Sequence, residues 1–260
     1  MEREAIKGES AAESTARHLK ELILEGALSP GDLLLSERDL AQRLDVSRPT
    51  LRQGMKILED EGLLVSGPGG RAVAPIGREI TDPLIALIAS HAEVVDDFFE
   101  FRATTERMAA RLAAARANAV DRARLTACME RIDRAHAEGA QREEAEADVA
   151  LHIAVYEASH NLVLLHTMRA LSGMLRQGVI ENREALFSHP ETRDRFRAQH
   201  RAIYESVMAG DVARAGEAAE SHIHYTHRAL TEVKAAEARL QVSLRRLNGG
   251  RVSARRKAEP

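Results

Sequence analysis

Apolar residues in the first sixty positions recur at helical spacing and are interrupted by short polar signals. Leu19, Leu22 and Ile23 share one face of a helix predicted over residues 14–25, which Gly26 and then Pro30 bring to an end. Ser36 opens a second helix, with Asp39 three residues on as a capping partner and Leu40, Ala41 and Leu44 as its apolar stripe. Asp45-Val46 makes a short turn. Ser47 caps a third helix carrying Leu51, Met55, Ile57 and Leu58, and Gly62 stops it. Residues 63–66, the tip GPGG at 67–70 and residues 71–74 then read as a hairpin. Helix, helix, turn, helix and hairpin is the order of a winged helix-turn-helix.

Past this point the period stays near 3.6 and no strand pattern returns. Helical stretches are predicted over 83–91, 94–117, 121–138, 142–158, 161–184, 191–209 and 211–245. They break at Asn118, Gly139, His160-Asn161, His189-Pro190 and Gly210-Asp211. Asp82-Pro83 reads as the start of the first of them, a cap followed by proline. The expected fold is mostly α, a winged helix-turn-helix followed by an antiparallel all-α bundle. The predicted divisions are a DNA-binding domain at 10–75, a linker at 76–82, a helical domain at 83–245 and a basic, disordered tail at 246–260.

Composition narrows the class. Aromatic residues make up 3% of the 260 positions and charged residues 30%, which favours a soluble helical protein. A single cysteine, Cys128, excludes an internal disulfide framework and fits a reducing cytoplasm. No apolar run approaches the roughly 20 residues that span a bilayer, so no membrane role is expected. The net charge of −3 makes no global case for nucleic acid. Locally the balance reverses. Residues 38–56 carry Arg38, Arg43, Arg48, Arg52 and Lys56 against Asp39 and Asp45, and phosphate neutralisation supplies most non-specific DNA affinity.

Arg48 and Arg52 are four apart at the start of the third helix, where a recognition helix presents side chains to base edges. Arginine can pair two-pronged with guanine. Ser47 and Thr50 are short enough to reach phosphates, the backbone at Gly69 and Gly70 can approach the sugar–phosphate chain, and Arg71 could enter the minor groove. Further on, Asp148 and His152 sit one turn apart on one helix face. His200 and His222, on two later helices, could complete a set of one carboxylate and three imidazoles, a donor set for a divalent transition metal with open positions. Arg102 could hold a carboxylate beside such a metal. Pairing with Glu106, one turn later, is the competing role for Arg102. Glu106 is assigned to the effector site rather than to the metal. His227 is a possible extra ligand. His18, His91, His136, His166 and His189 read as surface or capping residues.

The run GDLLLSERDLAQRLDVSRPTLRQGMKILEDEGLL resembles the GntR family of bacterial transcription regulators. The resemblance implies DNA contacts by Arg38, Arg48 and Arg52. Two positions depart from the family pattern. Leu35 stands in place of proline, and Gly54 in place of alanine predicts a slightly loosened recognition helix. The strings FRATTERMAARLAA, DVALHIAVYEASHN, HRAIYESVMAGDVARA and SHIHYTHRAL resemble the FCD branch of that family, whose effector domain is all-helical. In its metal-binding members an aspartate and three histidines fall at the positions of Asp148, His152, His200 and His222.

The resemblance implies a cytoplasmic homodimer that binds a palindromic double-stranded operator. It implies one divalent metal per subunit, zinc first, with nickel, manganese or iron as alternatives. It would act as a repressor released by a small carboxylic acid such as a hydroxy- or keto-acid. A regulator for which the metal itself is the signal is one alternative. A metal-dependent enzyme acting on small carboxylates is the weaker one, since no nucleophile motif is present.

Overall fold

Ser10 rather than Ser14 starts the first helix. Its hydroxyl accepts from the Glu13 amide while the Glu13 carboxylate accepts from the Ser10 amide, a reciprocal capping box that sets α1 at Ala11–Leu24. A computed structural model describes residues 9–178, 186 and 190–249. The predicted helix end at 179–184, the break at His189 and the tail beyond 249 lie outside the described residues.

Serine caps set the next two helices. The Ser36 hydroxyl accepts from the Asp39 amide to begin α2 (Glu37–Arg43), and Ser47 accepts from the Thr50 amide to begin α3 (Arg48–Asp60). Asp45, with φ of 52°, makes the tight turn between them. Strands β1 (Leu64–Gly67) and β2 (Gly70–Val73) pair antiparallel, Leu64 opposite Val73 and Gly67 opposite Gly70. Gly70 has φ of 116°, a conformation open to glycine and strained for other residues. Leu19, Ile23, Leu51, Met55, Leu58 and Val73 are buried together beneath this motif.

Gly54 behaves differently from the sequence expectation. A β-carbon there would lie 2.9 Å from the Ala12 carbonyl oxygen and 3.2 Å from the Thr15 β-carbon. The glycine lets α3 approach the backbone of α1, so it serves close packing rather than a loosened helix.

Helix α4 runs Arg78–Ser90, beginning before the Asp82-Pro83 pair and taking Pro83 inside it. The Thr81 amide and hydroxyl both bond the Gly77 carbonyl, which anchors the earlier start. The remaining described helices are α5 (Ala92–Arg116), α6 (Ala119–Glu138), α7 (Gln141–Ala158), α8 (Leu162–Gly178), α9 (Pro190–Ala209) and α10 (Val212–Gly249). Among the described residues, no helix is long and apolar enough to cross a membrane.

Contacts divide the chain into two units. One takes in residues up to Ala86 together with Asn161–Met174, and the other takes in Leu87–His160 and the residues from Leu175 onward. Most of α8 thus packs with the winged motif. His166 Nε2 lies 2.6 Å from the Leu24 carbonyl and Arg169 Nη2 donates to the Gly26 carbonyl at 3.2 Å, which satisfies groups left over at the end of α1. In the second unit α10 packs on α5 and α9, and α6 packs on α7. Phe99, Ala103, Phe196, Ile223 and Leu230 are buried in its core.

Candidate functional site

In the second unit, α7 places Asp148 and His152 one turn apart, α9 supplies His200 and α10 supplies His222. All four are buried, and one donor atom from each lies within 4.8 Å of every other. Asp148 Oδ1 is 2.6 Å from His200 Nε2 and 3.7 Å from His152 Nε2. The His200 and His222 ring centroids are 4.5 Å apart. An ion held at about 2.0–2.2 Å needs donors no more than about 4.4 Å apart, so this spacing is at, or within a few tenths of an ångström of, a coordination shell.

Two outer contacts orient the rings. His152 Nδ1 is 3.0 Å from Glu106 Oε2, and His222 Nδ1 is 3.1 Å from Gln199 Oε1. An imidazole that donates from Nδ1 keeps its Nε2 lone pair for a metal. His152 Nε2 is buried without a hydrogen-bond partner among the described residues, as expected of a ligand atom. Burial, together with the neighbouring His200 and His152, depresses the His222 pKa well below its ordinary value and keeps that ring neutral. The donor set and its spacing fit a divalent transition metal.

Glu106 and Arg102 share α5 and are each 2% exposed. Arg102 donates from Nε and Nη2 to Glu106 Oε1 at 3.2 and 3.1 Å, while Oε2 meets His152. Burial pushes the Glu106 pKa up. His152 and Arg102, through electrostatic attraction and their hydrogen bonds, more than offset this and hold the carboxyl below its usual value. Both of its oxygens are engaged within the protein. Arg102 Nη1 is buried and has no hydrogen-bond partner among the described residues. Arg102 is thus the ion-pair partner of Glu106 and also keeps one buried donor in reserve.

Other histidines fall elsewhere. His227 Nε2 lies 2.8 Å from Asp96 Oδ1 and its ring stacks on Phe99, apart from the four-residue cluster. His136 and His166 are half-buried and hydrogen-bonded rather than simply surface residues.

The reader carries the other candidate residues. Arg38, Arg48 and Arg52 are exposed, Ser47 and Thr50 share a hydroxyl hydrogen bond of 2.7 Å at the start of α3, and Gly69 and Gly70 form the hairpin tip. Glu37 gathers three arginines: Arg52 Nε at 2.6 Å, Arg71 Nη1 at 2.8 Å and Arg48 Nη2 at 3.8 Å. Hydrogen bonds from Arg52 and Arg71 hold its carboxyl below the ordinary pKa. Arg71 Nε also donates to Glu59 at 2.8 Å, so this arginine is braced from two sides.

Sequence reasoning missed Glu37, Gln199 and Phe196. The Phe196 ring stacks on His200 and meets His222 edge-on. One signal was present, because an aromatic four residues before His200 on one helix must share its face.

Residues 97–225 match the FCD domain, and residues 11–73 match the bacterial regulatory proteins of the gntR family. The chain is 32% identical over 88% of its length, and 89% of the relative's, to the "Putative L-lactate dehydrogenase operon regulatory protein" of Escherichia coli K12. It is 31% identical to the Glc operon transcriptional activator of the same strain, over 85% of this chain and 89% of the other. The HTH-type transcriptional regulator LutR of Bacillus subtilis is 32% identical over 78% of this chain and 93% of its own. These relatives are regulators of transcription, not enzymes. With its reader and helical bundle both matched, the chain belongs to the GntR family of transcription regulators and carries an FCD effector domain.

Proposed function

We propose that this regulator binds one divalent transition metal per subunit through Asp148, His152, His200 and His222, and responds to a small carboxylic acid held there. The observation that carries the reading is a buried set of metal donors linked, through Glu106, to an arginine with one uncommitted buried donor. When bound, the metal would supply open positions for an oxygen ligand. Arg102 Nη1 would donate to the same carboxylate. Glu106 holds both Arg102 and His152 in place and contacts the effector only through them. Gln199 does the same for His222.

A hydroxy- or keto-acid satisfies both partners, and the relative named for the L-lactate dehydrogenase operon supports that class. On the DNA side, two copies of the chain would each read half of a palindromic operator. The contacts come from Arg38, Arg48, Arg52 and Arg71, with Ser47, Thr50, Gly69 and Gly70 at the backbone. The logic proposed is repression relieved by the acid. A change in operator affinity of 10–100-fold needs a coupling of only about 1.4–2.8 kcal/mol.

The test is a thermal-shift screen of the zinc-loaded chain against lactate, glycolate, pyruvate and dicarboxylates. One acid should raise the melting temperature of the wild type and leave Arg102→Ala unmoved. His200→Ala should lose metal by elemental analysis while remaining folded. Full metal retention in His200→Ala would sink the four-ligand site. A melting temperature that responds to metal and to no acid would favour the metal as the signal.

A further inference from the structure

Helix α7 carries one more buried polar group in line with two of the metal donors. Asp148, His152 and Tyr156 recur one turn apart and so share a face of the helix. Tyr156 is 1% exposed. Long side chains lean back toward the N-terminus of their helix, and the phenol comes to lie at Thr105, the neighbour of Glu106 on α5. The same α7 face thus meets α5 twice, His152 at Glu106 and Tyr156 at Thr105.

A buried tyrosine hydroxyl ordinarily has a partner at about 2.7–2.8 Å. Among the described residues the hydroxyl of Tyr156 has one hydrogen bond, to Thr105 Oγ1 at 3.5 Å, the outer limit for such a contact. Burial raises the Tyr156 pKa and the negative charge of Glu106 raises it further, so the phenol keeps its proton. Arg102 Nη1 is the other buried donor without a partner among the described residues. Glu106 is the acceptor beside both, and it commits its two oxygens to Arg102 and His152. Two donors therefore await an acceptor that the protein does not supply.

We propose that Tyr156 is a specificity residue of the effector site, its hydroxyl donating to an oxygen on the carbon next to the carboxylate that Arg102 Nη1 receives. This rests on the carboxylic-acid reading above and narrows it. A hydroxy- or keto-acid offers the required acceptor. An unsubstituted acid leaves the phenol unpaired, and an amino acid sets an ammonium, which has donors only, against another donor. A buried donor left unpaired costs affinity, so the site chooses among acids by their second carbon.

Isothermal titration calorimetry of the zinc-loaded full chain with L-lactate, pyruvate, propionate and L-alanine tests this. The wild type should bind one of the two oxygenated acids at least about tenfold more tightly than propionate, and L-alanine not measurably. Tyr156→Phe keeps the ring and should weaken that acid by about tenfold while leaving propionate unchanged. Thr105→Val removes the hydroxyl against which the phenol rests and should leave the ratio of the two affinities intact. A phenol that only ties α7 to α5 predicts lower melting temperatures for both variants and an unmoved ratio in both. An unmoved ratio in Tyr156→Phe, or an equal loss in Thr105→Val, overturns the proposal.

The unmutated chain gives a second readout that does not depend on how Tyr156→Phe folds. With meta-fluorotyrosine at Tyr156, Tyr204 and Tyr225, its three tyrosines, the fluorine resonance that persists in both Tyr204→Phe and Tyr225→Phe belongs to Tyr156. It should move with the oxygenated acid and stay in place with propionate; a resonance indifferent to both overturns the proposal. Acids bound without discrimination overturn this inference alone, whereas a wild type that binds none of the four overturns the carboxylic-acid reading with it.

Discussion

Both units of this regulator build a network from arginine, glutamate and a helix face, and they place it in opposite surroundings. In the reader, Glu37 holds Arg48 and Arg52 at a surface where each arginine remains largely in water. Exposed pairs of this kind contribute little to stability and weaken with salt. Ion pairs in water are readily exchanged for another anion such as a phosphate. In the sensor, Arg102, Glu106 and His152 form a chain from which water is excluded. Charges there must be matched within the protein, because an unmatched one carries a desolvation cost of several kcal/mol. The first network is built to let go of its partners and the second to keep them.

The largest expected effect tests the second half of that contrast. Arg102→Met leaves the Glu106 carboxylate buried without its arginine and should cost about 3–5 kcal/mol of stability, measured by urea denaturation of the chelator-treated protein. A loss under about 1 kcal/mol, the ordinary range for exposed pairs, would put the two networks in one class.

Gly54→Ala comes next. Its new methyl group would meet the Ala12 carbonyl at 2.9 Å, and overpacking of this kind costs about 1–3 kcal/mol. Thermal unfolding should show the loss in the reader. A gain in stability, as helix propensity alone predicts, would mean that α1 and α3 can move apart freely.

The smallest change in stability belongs to Glu37→Gln, because its ion pairs with Arg48 and Arg52 lie at the surface. Its effect should appear on DNA instead. With their carboxylate gone, Arg48, Arg52 and Arg71 should bind random duplex several-fold more tightly and discriminate less, read by fluorescence anisotropy across a salt series. Unchanged binding would show that Glu37 only braces Arg71 and does not restrain Arg48 and Arg52.

How much of this was legible follows the range of each interaction. The serine caps of α2 and α3, the turn at Asp45 and the glycine-tipped hairpin are settled within a few residues, and the sequence displays them openly. The i, i+4 pair of Asp148 and His152 is equally local. Its union with His200 and His222 needed the family resemblance, since no spacing says which later helices will face α7. Glu37 escaped notice because its partners lie as far away as Arg71, 34 residues on. Gly54 looked like a weak helix residue because the Ala12 backbone it accommodates is two helices earlier. The early start of α4 was hidden by Asp82-Pro83, a strong local signal overridden by the anchor at Gly77.

Helix α8 carries a practical consequence. The gntR match ends at residue 73, and a fragment cut soon after it would seem to be the whole reader. Such a fragment lacks His166 and Arg169, and with them the groups that close the Leu24 and Gly26 carbonyls. Truncation is therefore a poor imitation of release from the effector domain. Altered operator affinity in the fragment would report a frayed α1 as readily as a missing sensor, and point variants in the full chain are the sounder control.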